Sequence, residues 1–115
     1  MFDFQKLQVY VKAKSFHSEC RVITQSVKLK STVNNQLSRA ALSIPLNIAE
    51  GSAKFSKADR RNFFVIARGS VFECVAILDI LRDEKIISEE DFEARAQKAD
   101  ELSRILYSMI RNLES

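Results

Sequence analysis

The chain has 115 residues, 46% of them hydrophobic, with two glycines, one proline, two cysteines, one histidine and a net charge of +3. One domain over residues 1–115 accounts for that length, and about two-thirds of the unfolded chain's surface can be buried on folding without a disulfide or metal staple. The opening residues carry charges at Asp3, Lys6, Lys12 and Lys14 and lack the continuous apolar run of a signal peptide, and no stretch reaches the ~18 uncharged residues of a membrane span, so a soluble, cytoplasmic protein with no membrane partner is expected.

Turn residues are scarce and apolar residues recur at three and four rather than two, which predicts an all-α fold. The first helix opens with Asp3 as N-cap and Phe2 placed to staple onto Leu7. Its apolar line of Phe4, Leu7, Tyr10 or Val11, Phe16, Cys20 and Ile23 fades at Ser26, and KLKST makes the connection. The second helix starts near Ser31 or Thr32 and holds Val33, Leu37, Ala41, Ile44 and Ile48 in one phase. That phase continues past Pro45, which predicts a kinked helix rather than a break, ending near Glu50 with Gly51 as a left-handed C′ residue.

Ser56, with Asp59 three residues on, caps the third helix, whose predicted core face is Phe63, Ala67, Ser70, Cys74, Ile77 and Leu81. Ser88 precedes Glu89, Glu90 and Asp91, an acidic first turn that the helix dipole favours. The fourth helix then carries Phe92, Ala96, Ala99, Leu102, Leu106, Met109 and Leu113. Four amphipathic helices with short connections predict an up-down-up-down four-helix bundle with a kinked second helix.

Two helices carry more apolar surface than one bundle covers. On the second, Gln36, Arg39, Ser43, Asn47 and Glu50 share one narrow polar arc at ~100° per residue, while Leu42 and Leu46 point away from the core. On the third, Phe64, Val65, Phe72 and Val75 lie off the predicted core face among Lys57, Arg61 and Arg68. These features predict either a subunit interface, comprising Gln36, Arg39, Leu42, Ser43, Leu46, Asn47, Glu50, Phe64 and Phe72, or a base-stacking surface among arginines. In an antiparallel hairpin of the two helices, Ala40 and Ala41 come opposite Ala67, Gly69 and Ser70. A close crossing there explains a helix-interior glycine that otherwise costs about 1 kcal/mol.

The modest net charge conceals a division. Residues 1–70 hold twelve Lys/Arg against four Asp/Glu, a balance of +8, while residues 71–115 hold six against eleven, a balance of −5. Lys54, Lys57, Arg60, Arg61 and Arg68 cluster around the second connection and the start of the third helix, with Lys28 and Lys30 in another connection at the opposite end. The first cluster is the candidate nucleic-acid site. Cys20 and Cys74 fall in apolar helical patterns without metal-site spacing and read as reduced core thiols. His17 has no Glu-x-x-His pairing, and no phosphate loop or nucleophile elbow is present, so no metal, cofactor or enzymatic activity is expected.

The segments QLSRAALSIPLNIAEGSAK and FFVIARGSVFE, with LQVYVKA near the start and LYSMIRNLE at the end, resemble the defining motifs of the four-helix-bundle proteins whose founding members are encoded in 23S rRNA intervening sequences. The resemblance covers essentially the whole chain. It implies a kinked four-helix protomer and a homopentameric ring, by similarity also to the accessory proteins of diversity-generating retroelements, which are basic and associate with nucleic acid and a reverse transcriptase. It carries no established catalytic residue. The matching positions, Gln36, Arg39, Ala40, Ser43, Ile44, Pro45, Asn47, Ile48, Glu50, Gly51, Gly69, Ser70 and Glu73, look structural or interfacial. Two functions follow as expectations: binding of RNA or DNA through a basic patch repeated around a ring, or a scaffold that presents the ring to a protein partner such as a polymerase.

Overall fold

The computed structural model describes residues 1–26 and 30–114, and among them the chain forms four α-helices and no strand: α1 Gln8–Ser26, α2 Ser31–Ser52, α3 Lys57–Asp83 and α4 Glu89–Asn112. Lys28 lies outside the described residues. Local chemistry sets two of the starts as the sequence predicts. The Ser56 hydroxyl accepts from the Asp59 N–H at 3.1 Å, and the Ser88 hydroxyl accepts from the Asp91 N–H at 3.0 Å.

The chain's start differs from expectation. Asp3 does not cap α1 but opens a short 3₁₀ turn over Asp3–Lys6, which the extended backbone at Leu7 separates from α1. The Phe2 N–H donates to the Gln5 side chain at 2.7 Å, and the Phe4 ring meets Tyr10 edge-on with centroids 4.9 Å apart.

α2 is continuous through Pro45, and Leu37, Ala41, Ile44 and Ile48 are all buried along it. Burial of this face offsets the ~3 kcal/mol that an interior proline costs. Gly51 is not a left-handed C′ residue: it lies within the helix, no glycine has positive φ, and Ala53 is the C-cap. Its need is close approach, because a Cβ at Gly51 would stand 2.7 Å from a ring carbon of Phe64. The left-handed position falls instead on Lys85 (φ 60°), just beyond α3. There the Lys85 N–H donates to the Arg82 carbonyl and the Ile86 N–H to the Leu81 carbonyl, both at 2.9 Å, closing α3 in a Schellman motif.

The buried face of α3 is only in part the predicted one. Ala67, Ser70, Cys74 and Leu81 are buried as predicted and Phe64, Val71 and Leu78 join them, whereas Phe63 and Ile77 are only partly buried. The core closes in a circuit of neighbours, α1 with α2, α2 with α3, α3 with α4 and α4 with α1. Among the described residues the diagonal pairs make no backbone contact, as in a four-helix bundle, and the body measures 44 × 25 × 22 Å. Arg95, buried at 5% exposure, ties α4 to α1 by donating from Nε to the Glu19 carbonyl and from its terminal amine to the Asp91 carbonyl, each at 3.0 Å.

Candidate nucleic-acid interface

Four of the five predicted cations, Lys54, Lys57, Arg60 and Arg61, stand at one end of the bundle, where α2 gives way to α3. Lys54 lies in the turn with its ammonium 5.1 Å from the centre of the Phe63 ring, and Lys57 opens α3 on the exposed surface. Between them Phe55 is entirely exposed, an aromatic that the sequence reading missed although KFSK displays it in a polar turn. The free N–H groups at the start of α3 add to the positive potential here. Arg60 and Arg61 are consecutive, and 100° of helix rotation sends them to opposite flanks. Arg60 borders a hollow with Phe4, Leu7, Ala49 and Ser52, whereas Arg61 reaches the end of α4, where the Glu114 carboxylate accepts at 3.3 Å. The Nε atoms of both arginines are buried without a hydrogen-bond partner.

The chain's halves use their arginines differently. Arg82, Arg95, Arg104 and Arg111, in the acidic half, each form an ion pair with Asp or Glu. Among the described residues, Arg61 is the only arginine of the basic half within ion-pair distance of a carboxylate. Among the described residues no carboxylate lies within ion-pair distance of Lys54, Lys57, Arg60 or Arg68.

Arg68 stands apart from the turn in a groove between α3 and α4. Its Nε donates to the Ser103 carbonyl at 3.3 Å, and its guanidinium lies 4.7 Å from the Phe72 ring centre and 5.4 Å from that of Tyr107. Tyr107 and Arg111, which also line this groove, come from α4 and were not foreseen. No single segment displays them beside Arg68.

The predicted interface residues divide into three groups. Leu42 and Leu46 are exposed on α2, as are Gln36, Arg39 and Glu50. Ser43 and Asn47 are committed within the protomer: the hydroxyls of Ser43 and Ser70 lie 2.9 Å apart, and the Asn47 amide donates to the Ser43 carbonyl at 2.8 Å and to its hydroxyl at 2.9 Å. The middle of the polar arc therefore bonds α2 to α3. Phe64 is the clear correction. At 2% exposure it belongs to the protomer core against Gly51 and presents nothing to a neighbour, whereas Phe72, at 55%, is open. Gly69 is also corrected: it is exposed, and a Cβ there would meet nothing within 4 Å, so no close crossing requires it.

The remaining reactive groups are held in quiet states. Cys20 and Cys74 are buried free thiols. Hydrogen bonding to Cys20 and then burial push the Cys74 thiol above its usual range, so it stays protonated. Burial, with the charge of Arg21 in addition, lowers the pKa of His17, leaving the imidazole neutral at pH 7. Among the described residues no three His, Cys, Asp or Glu side chains gather as a metal ion would require, and no helix is long and apolar enough to cross a membrane.

Comparison with known proteins adds to this geometry. The family model described as 23S rRNA-intervening sequence protein matches residues 5–108. A crystal structure of a protein of unknown function from the S23 ribosomal protein family of Bacteroides thetaiotaomicron is similar to this chain at 25% identity and a TM-score of 0.84, the match covering 89% of this chain and 97% of that one. No curated protein matches the sequence.

Proposed function

This chain belongs to the 23S rRNA-intervening sequence protein family, and we propose that it is a non-enzymatic bundle that binds RNA or DNA electrostatically at the α2–α3 end. The observation that carries this reading is the contrast in pairing among arginines: among the described residues Arg60 and Arg68 lack carboxylate partners, while every arginine of residues 71–114 has one, and Lys54 and Lys57 stand unpaired beside Arg60. Unpaired cations release bound counterions from a polyphosphate at no cost in broken ion pairs, and Phe55 projects among them as an aromatic on which a base can stack.

We also propose that the protein works as a homo-oligomer. Arg39, Leu42, Leu46 and Glu50 recur at three and four along α2 and share one outward face, and the two leucines are each about half exposed. An apolar pair with a cation at one end and a carboxylate at the other suits a contact between copies. Repetition around a ring would let several modest basic patches hold one polyanion together.

Fluorescence anisotropy with structured RNA and single-stranded DNA, across a salt series and on material whose mass is fixed by light scattering, tests both parts. The expected result is affinity that falls steeply with salt and drops in the Arg60→Ala/Arg61→Ala double variant, on particles heavier than one protomer. Weak binding indifferent to those arginines would overturn the nucleic-acid reading and favour a scaffold for a protein partner such as a polymerase.

A further inference from the structure

We propose that the groove between α3 and α4 seats unpaired bases, so that the nucleic acid this protein prefers is single-stranded. This inference rests on the nucleic-acid reading above and specifies its ligand class. The groove is a hollow of about 470 Å³, and Arg61, Arg68, Gly69, Phe72, Tyr107 and Arg111 are among its lining residues. That volume falls within the about 300–1,000 Å³ typical of small-ligand sites.

Three features of the groove converge on a flat, anionic ligand. Phe72 and Tyr107 leave 55% and 50% of their surfaces in solvent, although each has an apolar ring face to cover. Arg68 lies against both rings, fixed from behind by the Ser103 carbonyl, and among the described residues no carboxylate comes within ion-pair distance of it. Gly69 then leaves open space beside them. A glycine in a helix interior costs about 1 kcal/mol against alanine, and the packing of this protomer returns nothing for it. Clearance over Gly69 is what a planar ring needs to reach the exposed faces.

The charges decide between classes of partner. An apolar helix laid into this groove would take the Arg68 guanidinium out of water without supplying a counter-charge, which is unfavourable. A nucleotide supplies both halves of the match: a base to stack on the rings, and a phosphate for Arg68 and for Arg61 and Arg111, which at present share Glu114 at 3.3 and 3.9 Å. In a duplex the base faces are stacked on one another and only phosphates are presented. The aromatic pair therefore distinguishes single strands from duplexes, while the turn cations do not.

The test is anisotropy titration of the full chain with a fluorescein-labelled oligothymidine and with a labelled duplex of the same length at the same salt. Wild-type protein should bind the single strand about tenfold more tightly. The Phe72→Leu/Tyr107→Leu variant, and separately Gly69→Leu, which fills the hollow from a surface position, should lose that preference while keeping duplex affinity and fold. Arg68→Lys should lower single-strand affinity while retaining its salt dependence, because the charge remains and the planar stack does not. Equal affinity for the two probes, unaltered by these variants, overturns the base seat and leaves backbone binding standing. No binding of either probe overturns both readings. If the same variants instead change the particle mass in light scattering, the groove is a contact between copies and the proposal falls.

Discussion

The two flanks of α3 carry matching residue types in opposite circumstances. Toward α2, Phe64 is buried against Gly51, and the Ser43–Ser70 hydroxyl pair closes the contact. Toward α4, Phe72 is half in solvent beside Gly69, and among the described residues no acid pairs with Arg68. Phe64, which packs on Gly51 of α2, thus holds the fold, whereas Phe72, beside Gly69 of α3 itself, is a residue that the fold leaves available. The difference teaches that residue type alone does not assign a role on this helix, and that its angular position does.

The largest effect should come from the pair of phenylalanines. Phe64→Ala removes a fully packed ring and should cost about 3–5 kcal/mol, read as a lowered denaturant midpoint. Phe72→Ala should stay within about 0.5 kcal/mol of wild type, as surface substitutions usually do. Equal losses at the two positions would break the comparison. Next in size is Gly51→Ala, whose Cβ would meet Phe64 at 2.7 Å and the Phe63 Cβ at 3.0 Å. Overpacking of this kind costs about 1–3 kcal/mol, and an unchanged midpoint would mean that α2 and α3 are not held so closely. Smaller again, Ser70→Ala removes the inter-helix partner of Ser43 and should cost about 1 kcal/mol, with Asn47 still satisfying the Ser43 hydroxyl.

What the sequence made legible follows the range of the physics involved. Caps are decided within four residues, so Ser56 and Ser88 could be read directly. The apolar phase across Pro45 extends over four turns and outweighs one lost hydrogen bond, so α2 was also readable as a single helix. The core face of α3 was readable only in part: Ala67, Ser70, Cys74 and Leu81 are buried as predicted, but Phe63 and Phe64 are adjacent, and periodicity does not choose between them. Gly51, distant in sequence, makes that choice by admitting the Phe64 ring. The end of α3 was hidden for a different reason: Lys85 occupies a left-handed position usually given to glycine, and its own side chain gives no sign of that. The cations of the candidate site were visible as a cluster, but their sorting into a turn, a hollow beside the 3₁₀ turn and a groove completed by Tyr107 and Arg111 required the α3–α4 pairing.

The prediction at Gly69 is the sharpest, because it turns on sign. Tight crossing of α2 and α3 at Gly69, as the sequence suggested, would make Gly69→Ala destabilising. With nothing within 4 Å of the added Cβ, the substitution should instead gain the helix-propensity difference of up to about 1 kcal/mol, a rise of about 4 °C in Tm. A fall in Tm would place another surface over Gly69 and return it to a packing role. A rise would establish that the glycine is retained at a cost to the protomer, on the same flank where Phe72 and Tyr107 remain half exposed beside Arg68. Stability given up at one position of an open groove is the pattern expected where that space is kept for a ligand.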